Sequence, residues 1–381
     1  MKKNSTKTQS RKKNSSKTQS TKRTKKEDRA ESGTIGMDLG DKTSRYCVLK
    51  GNGEVAEEAS VATTKQGLRE RFGKKKACRV AIEVGTHSPW VSRLLKELGH
   101  EVIVANARQV RLISESSRKD DRLDAQTLAR LARVDPQLLR PIQHRSEKAQ
   151  GHLLVIRVRA LLVETRTALV NAARGMSKSC GDRLAGCAAE AMTVEILEPL
   201  GEELQEALKP LVEQVESLNK QIKASDTKIE QIAREDYPET KLLTQVSGVG
   251  TLIALTFVLT VEDRERFQKS RDVGCYIGLR PKRSQSGGSE PQLRITKEGD
   301  RYLRSLLVQG AHYILGWRGP DTDLRRWGLE LAKRGGKNAK KRAIIAVARK
   351  LAVLLHRLWV TAEVYEPLRN SQAKVEKKKA A

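Results

Sequence analysis

The sequence predicts a mixed α/β domain near the N-terminus, a helical middle segment with a coiled-coil seam, and a mostly helical C-terminal domain. Three observations carry that reading. Short apolar runs bounded by turn residues succeed one another between Thr34 and Val104, the pattern of half-buried strands. Apolar residues then step by four and three from Leu204 to Ile232, as a heptad seam requires. From Asp236 to Asn370 the chain returns to helix-forming residues, broken by one stretch of serines and glycines.

Residues 1–32 contain a tandem near-repeat, KKNSTKTQS from Lys2 and KKNSSKTQS from Lys12, with almost nothing to bury; this composition predicts a disordered basic arm. Strands are expected at Thr34–Met37, at Tyr46–Leu49 before the turn Lys50-Gly51-Asn52-Gly53, at Glu54–Ala56, at Arg79–Ile82 and at Val102–Val104. Helices are expected at Lys65–Phe72 and Ser88–Leu98. Together they define an α/β domain over residues 33–145. Past Pro141 one helix is predicted from Ser146 to Arg174. The next carries the seam Leu204, Leu208, Leu211, Val215, Leu218, Ile222, Ile229 and Ile232, with Ser225 in the polar position. An intramolecular hairpin and an intermolecular coiled coil both fit residues 146–235, and partner contact is the favoured of the two. Pro210 should bend or interrupt that helix. Residues 236–370 form the last domain, in which Pro281–Gln292 reads as a loop, and residues 371–381 form a basic tail.

With 381 residues the chain is long enough for two or three cores. Its 74 Lys and Arg against 46 acids give a formal charge of +28, a self-repulsion that an anionic partner relieves; nucleic acid is the first expectation. Aromatic residues make up only 3%, which favours contacts to phosphates and grooves over binding mainly by base stacking. The five cysteines form no CxxC pair and read as reduced thiols of a cytoplasmic protein. The most apolar stretch, around Leu252–Leu259, is far too short to span a bilayer, and no membrane role is expected.

Four acids stand out in so basic a chain. Asp38 and Glu83 each end an apolar run, so neighbouring strands can present both to one point. Asp121 and Asp124 are spaced i,i+3 and share a helix face. Carboxylate oxygens suit Mg²⁺, which also pairs with phosphate, and the set points to phosphodiester chemistry. The competing reading makes Asp38 and Glu83 turn residues, and Asp121 and Asp124 early-helix acids paired with Arg118 and Arg122. A second constellation, Val246-Ser247-Gly248-Val249-Gly250-Thr251 before an apolar helix, resembles a helix-hairpin-helix motif. Amides at Gly248 and Gly250 would hold a nucleic-acid phosphate there. A third is Ser286 beside Gly287 and Gly288, sterically open, with Arg283, Arg294 and Lys297 as cations for a phosphate.

In these motifs the chain resembles transposases of the IS110 family of bacterial insertion sequences, over roughly Thr34 to Arg369. The matching segments are Gly36-Met37-Asp38, Ala81-Ile82-Glu83-Val84-Gly85-Thr86-His87-Ser88, Lys119-Asp120-Asp121-Arg122-Leu123-Asp124, Val246 to Gly250, Gly278-Leu279-Arg280-Pro281, Ser286-Gly287-Gly288 and Ile295 to Arg304. The resemblance implies a RuvC-like, RNase H-type fold with Asp38, Glu83, Asp121 and Asp124 as a DEDD set holding Mg²⁺. It further implies Ser286 as nucleophile, with Ser284 and Ser289 as competitors in the same loop, and a structured RNA that pairs with donor and target DNA. A dimer or tetramer is expected, because recombination holds several strands at once. Two rival functions remain: a junction nuclease using the acids and water alone, and a non-catalytic nucleic-acid-binding protein.

Overall fold

The computed structural model describes residues 33–106, 121–291 and 293–371; the basic arm, Lys119, Asp120 and the basic tail lie outside them. The chain divides into two compact units, one through Arg145 and one from Ser146.

The first unit is a five-stranded mixed sheet in the order β3-β2-β1-β4-β5. The strands are β1 (Thr34–Asp38), β2 (Thr43–Leu49), β3 (Val55–Ala62), β4 (Arg79–Glu83) and β5 (Glu101–Ala105). β1, β2 and β3 form an antiparallel meander, whereas β4 and β5 run parallel to β1. Among the described residues three helices flank the sheet: α1 (Lys65–Phe72), α2 (Ser88–Glu97) and α3 (Asp121–Val134). Period-two alternation splits the core between the two faces. Ile35, Met37, Val80, Ile82 and Val104 pack with Leu68 and Phe72 of α1 and with Val91, Leu94 and Leu95 of α2. On the other face Ala81, Ile103 and Ala105 meet Leu128 and Ala132 of α3, and Cys47 and Leu49 meet Ala125 and Ala129. β3 is longer than the expected Glu54–Ala56. It is an edge strand whose Glu57, Glu58 and Ser60 dilute the apolar signal while pairing with Val48, Cys47 and Arg45 of β2.

The second unit opens with two long helices, α4 (Glu147–Ser179) and α5 (Glu202–Asp236). They pack antiparallel: Leu153 and Ile156 early in α4 meet Ile229 and Ile232 late in α5, and Val170 and Ala173 meet Leu208, Val212 and Val215. Thus the heptad stripe is buried inside one chain, and the favoured intermolecular use of that seam gives way to the hairpin. Val212 lies in the buried line where Leu211 was expected, and Leu211 is only half-buried. Pro210 sits inside a continuous helix. Both Pro210 and Glu206, whose carbonyl would otherwise accept from residue 210, are exposed, a position where the lost bond costs least.

The rest is mostly helical, with α6 (Thr251–Val261), α7 (Arg301–Leu315), α8 (Asp323–Lys333) and α9 (Ala339–Thr361). α6 is buried almost all round, with Ile253 to Val261 inside, as expected of a helix with no polar face. It forms the centre of a core with Leu303, Leu307 and Ala311 of α7 and Val347, Leu351 and Leu355 of α9. Among the described residues no helix is long and apolar enough to cross a membrane.

Candidate active site

β1 and β4 are parallel neighbours in the register Met37↔Ile82, so Asp38 and Glu83, the last residues of their strands, end side by side. Since Met37 and Ile82 face α1 and α2, alternation turns both acids to the face that α3 covers. α3 lies close against β1: a Cβ on Gly36 would stand 2.1 Å from the Ala125 carbonyl oxygen and 2.4 Å from the Ala129 nitrogen. Only glycine permits that approach, and it brings Asp124, beside Ala125, to the same edge. Gly40 closes the turn after β1, where a Cβ would lie 2.2 Å from the Thr43 carbonyl oxygen.

The electrostatics follow from this crowding. Burial raises the Glu83 carboxyl above the usual glutamate range, and the charges of Asp38 and Asp124 push it further. All three acids are half-buried. Asp121 begins α3, one turn before Asp124, but its side chain lies outside the described set. Among the described residues no three His, Cys, Asp or Glu side chains converge closely enough to hold a metal ion by themselves. The donor chemistry still fits a hard divalent cation: carboxylate oxygens at a half-open edge, crowded enough to raise the proton affinity of Glu83. Arg122 reaches Glu58 on β3, at 2.5 Å.

A pair not singled out in the sequence stands at this edge. His87 Nε2 lies 3.5 Å from Asp41 Oδ1, linking the turn after β1 to the loop after β4. The Trp90 indole donates to His87 Nδ1 at 3.1 Å. Because an indole can only donate, Nδ1 is bare and a neutral His87 carries its proton on Nε2, facing Asp41. The signal was present: Asp41 follows Asp38 by three residues and His87 follows Glu83 by four. Another Ser–His contact nearby is structural. Ser88 Oγ is 2.8 Å from His144 Nε2, but Ser88 is fully buried and its hydroxyl donates to the Gly85 carbonyl. Burial and the charges of Arg93, Lys96 and Arg145 push the His144 imidazole down to about 4.

Ser286 occupies the tip of a two-stranded ribbon in the second unit. Lys282 donates its amide to the Arg294 carbonyl and Thr296 to that of Arg280, while Ser286 and Ser289 exchange amide–carbonyl bonds across Gly287-Gly288. The expected loop is therefore an irregular hairpin, with exposed Ser284, Ser286 and Ser289 near its end. Its root is locked. A Cβ on Gly278 would lie 2.1 Å from the Glu298 carbonyl oxygen, and one on Gly299 2.0 Å from that of Tyr276. Lys297, between them, takes a left-handed φ of 58°, a strained conformation for a side-chain-bearing residue. The predicted cations differ in availability. Arg283 is engaged across the ribbon with Glu290 and Gln285, whereas Arg294 and Lys297 are exposed.

At the glycine turn a short helix, Thr240–Leu243, leads through Gly248 into α6. Gly248 has a φ of +85° and its Cβ position lies 3.0 Å from the Gly310 carbonyl oxygen and 3.1 Å from the Tyr313 ring. Its glycine is thus explained by packing on α7. Gly250 differs: it precedes α6 with an ordinary φ of −87°, and nothing stands within 4 Å of its Cβ position.

Comparison with known proteins matches this arrangement at both ends. A family model for DEDD transposases of the IS110 type, described as "Transposase", matches residues 35–179, which include Asp38, Glu83, Asp121 and Asp124. A second, described as "Transposase IS116/IS110/IS902 family", matches residues 240–324, which include the glycine turn and the serine ribbon. The chain is 31% identical to "Putative transposase y4pF/y4sB" of Sinorhizobium fredii, covering 87% of this chain and 85% of that protein. It is 29% identical to "Probable family 20 transposase" of Pseudomonas aeruginosa, over 79% of this chain and 89% of the relative. With "Transposase for insertion sequence element IS1111A" of Coxiella burnetii it shares 27% identity, over 87% of this chain and 90% of the relative. On this similarity the chain belongs to the IS110/IS116/IS902 family of bacterial transposases.

Proposed function

We propose that the protein cuts and rejoins DNA strands through a covalent bond between Ser286 and a DNA phosphate, with Asp38, Glu83, Asp121 and Asp124 as the acids that hold Mg²⁺. The observation that carries this reading is the crowding of Asp38, Glu83 and Asp124 at one sheet edge, which raises the Glu83 carboxyl, in a chain of net charge +28. Ser286 Oγ bonds to phosphorus as one backbone P–O bond breaks, and its proton ends on the departing deoxyribose hydroxyl. Attack by a second hydroxyl reverses the step and rejoins the strand, so the phosphodiester is conserved. Bound Mg²⁺ would supply charge stabilisation at the phosphate. The acids hold it, the exposed Arg294 and Lys297 attract the backbone, and the locked ribbon root fixes where Ser286 can reach. Amides at the Gly248–Gly250 turn, read as a helix-hairpin-helix, hold a further phosphate.

The reading needs the acid edge of residues 33–145 and the serine ribbon of residues 236–370 to meet, within one chain or between copies in a dimer or tetramer. Residues 146–235 separate them, and the basic segments 1–32 and 371–381 add attraction for nucleic acid in the cytoplasm. Donor and target DNA are the substrates, with a structured guide RNA as the further partner. Trapped reactions should carry DNA on Ser286, located by peptide mapping. Ser286→Ala should lose the adduct but bind DNA normally, and Asp124→Ala should lose strand chemistry. Normal recombination by Ser286→Ala with no adduct on Ser284 or Ser289 would leave only metal-dependent nuclease chemistry.

A further inference from the structure

Trp317 is 84% exposed, just past the end of α7. The other three tryptophans are engaged. The Trp90 indole donates to His87, Trp359 is 7% exposed in the core, and Lys350 Nζ sits 3.7 Å from the centre of the Trp327 ring. Over Trp317 lies Arg318, whose guanidinium carbon is 4.4 Å from the centre of its ring.

The backbone beneath it is rigid. Gly316 donates to the carbonyls of His312 and Tyr313, and Gly319 donates back to Gly316 at 3.2 Å. These bonds make residues 316–319 a β-turn with Trp317 and Arg318 at its two corners. The Arg325 guanidinium binds the carbonyls of Ile314 and Gly316 from below. A Cβ on Gly319 would stand 2.2 Å from the Ile314 carbonyl oxygen, so the turn closes only on glycine. A tight, arginine-clamped turn therefore displays one indole and one guanidinium outward in a fixed arrangement.

We propose that this turn is a stacking platform for one unpaired nucleobase: the base lies on the open face of Trp317, and Arg318 pairs with the adjoining phosphate. The chemistry selects that ligand. A flat π-system beside a negative charge satisfies indole and guanidinium together, and a nucleotide supplies both. A protein partner would need a contiguous apolar patch, whereas the exposed residues that follow Trp317 in the chain include Arg318 and Asp321. Duplex interiors hide their base faces, so only a single-stranded, looped or extruded base can stack. Just upstream on α7, Tyr313 is 47% exposed and packs against Gly248, in the turn proposed to hold a phosphate. With aromatic residues at 3% of the chain, the platform anchors one base at a set point and does not track a strand.

The proposal rests on the chain acting on nucleic acid but not on Ser286 or Mg²⁺. Its test uses full-length protein, Trp317→Ala, Trp317→Phe and Arg318→Ala, with fluorescence anisotropy on labelled single-stranded DNA, single-stranded RNA and blunt DNA duplex. Trp317→Ala should weaken single-strand binding by about 5- to 150-fold, with duplex affinity and melting temperature unchanged. Trp317→Phe should restore most of the loss, and Arg318→Ala should give a smaller loss with a shallower salt dependence. Loss on DNA alone, on RNA alone or on both supports the platform and identifies the strand that supplies the base. Unchanged single-strand binding by Trp317→Ala, equal loss on duplex, a Phe variant as weak as Ala, or wild-type protein with no single-strand affinity would each overturn it. Repeating the series in Ser286→Ala separates the two readings, since the Trp317 dependence should persist there even if the serine chemistry proves wrong.

Discussion

Gly36→Ala adds a single methyl at the point where α3 rests on β1. The new Cβ would stand 2.1 Å from the Ala125 carbonyl oxygen, whereas an ordinary contact begins at 3.4 Å, so the helix must lift by about 1.3 Å along that line. Neither obstructing atom is a side chain, and rotamer changes give no relief. Overpacking of this kind costs about 1–3 kcal/mol, which lowers the melting temperature of a unit of this size by about 4–8 °C per kcal/mol. Asp124 moves with the helix, and a misplacement of about 1 Å at a catalytic group costs about 100-fold in rate. Single-turnover strand cleavage at saturating protein, run well below the melting temperature, isolates that second effect. Gly85→Ala, with nothing within 4 Å of its Cβ position, is the control and should leave both stability and rate unchanged. Wild-type cleavage and melting in Gly36→Ala would show that α3 does not rest on β1 as described, and with it that Asp124 is not held at the acid edge.

Three further outcomes follow from the acid edge and from the glycine turn. Because the folded state raises the Glu83 carboxyl, ionising it costs stability, which is lost as pH rises through that raised value. Glu83→Gln should therefore melt higher than wild type at neutral pH without metal, and the difference should close as pH falls below the ordinary glutamate range. A lower melting temperature at neutral pH would refute the crowding. Gly248→Ala should destabilise the second unit by about 1–3 kcal/mol through its left-handed backbone and its contact with Gly310. Gly250→Val should spare stability but weaken binding evenly across unrelated DNA sequences; sequence-selective loss would show that the turn does not hold the backbone.

The sheet was readable because its apolar runs end at Gly, Asn and charged residues, and the strands stand where those runs lie. β3 was under-read because this edge strand carries Glu57 and Glu58, which break its apolar pattern and are accommodated by ion pairs to Arg71, Lys75 and Arg122. The heptad positions were legible on α5, but the identity of the partner helix was not, since period alone does not say whether α4 or a second copy fills the seam. At the candidate site, Asp38 and Glu83 were visible from their strand ends. Their convergence with Asp124 depends on Gly36, and a glycine inside an apolar run does not announce what approaches it. Trp317 belongs to no periodic pattern, so only its exposure on a clamped turn distinguishes it from core tryptophans.

The ribbon carrying Ser286 joins a locked root to a tip whose Gly287 and Gly288 have no atom within 4 Å of their Cβ positions. Space therefore sets no limit on side chains at the tip, and only the left-handed φ of Gly287, 55°, favours glycine there. A well-folded protein needs glycine at Gly278 and Gly299, whereas a change at the exposed Ser286 side chain would leave the fold standing. If Ser286 is the nucleophile, a copy altered at the tip would be a folded molecule without strand chemistry, and would compete with active copies for the same DNA.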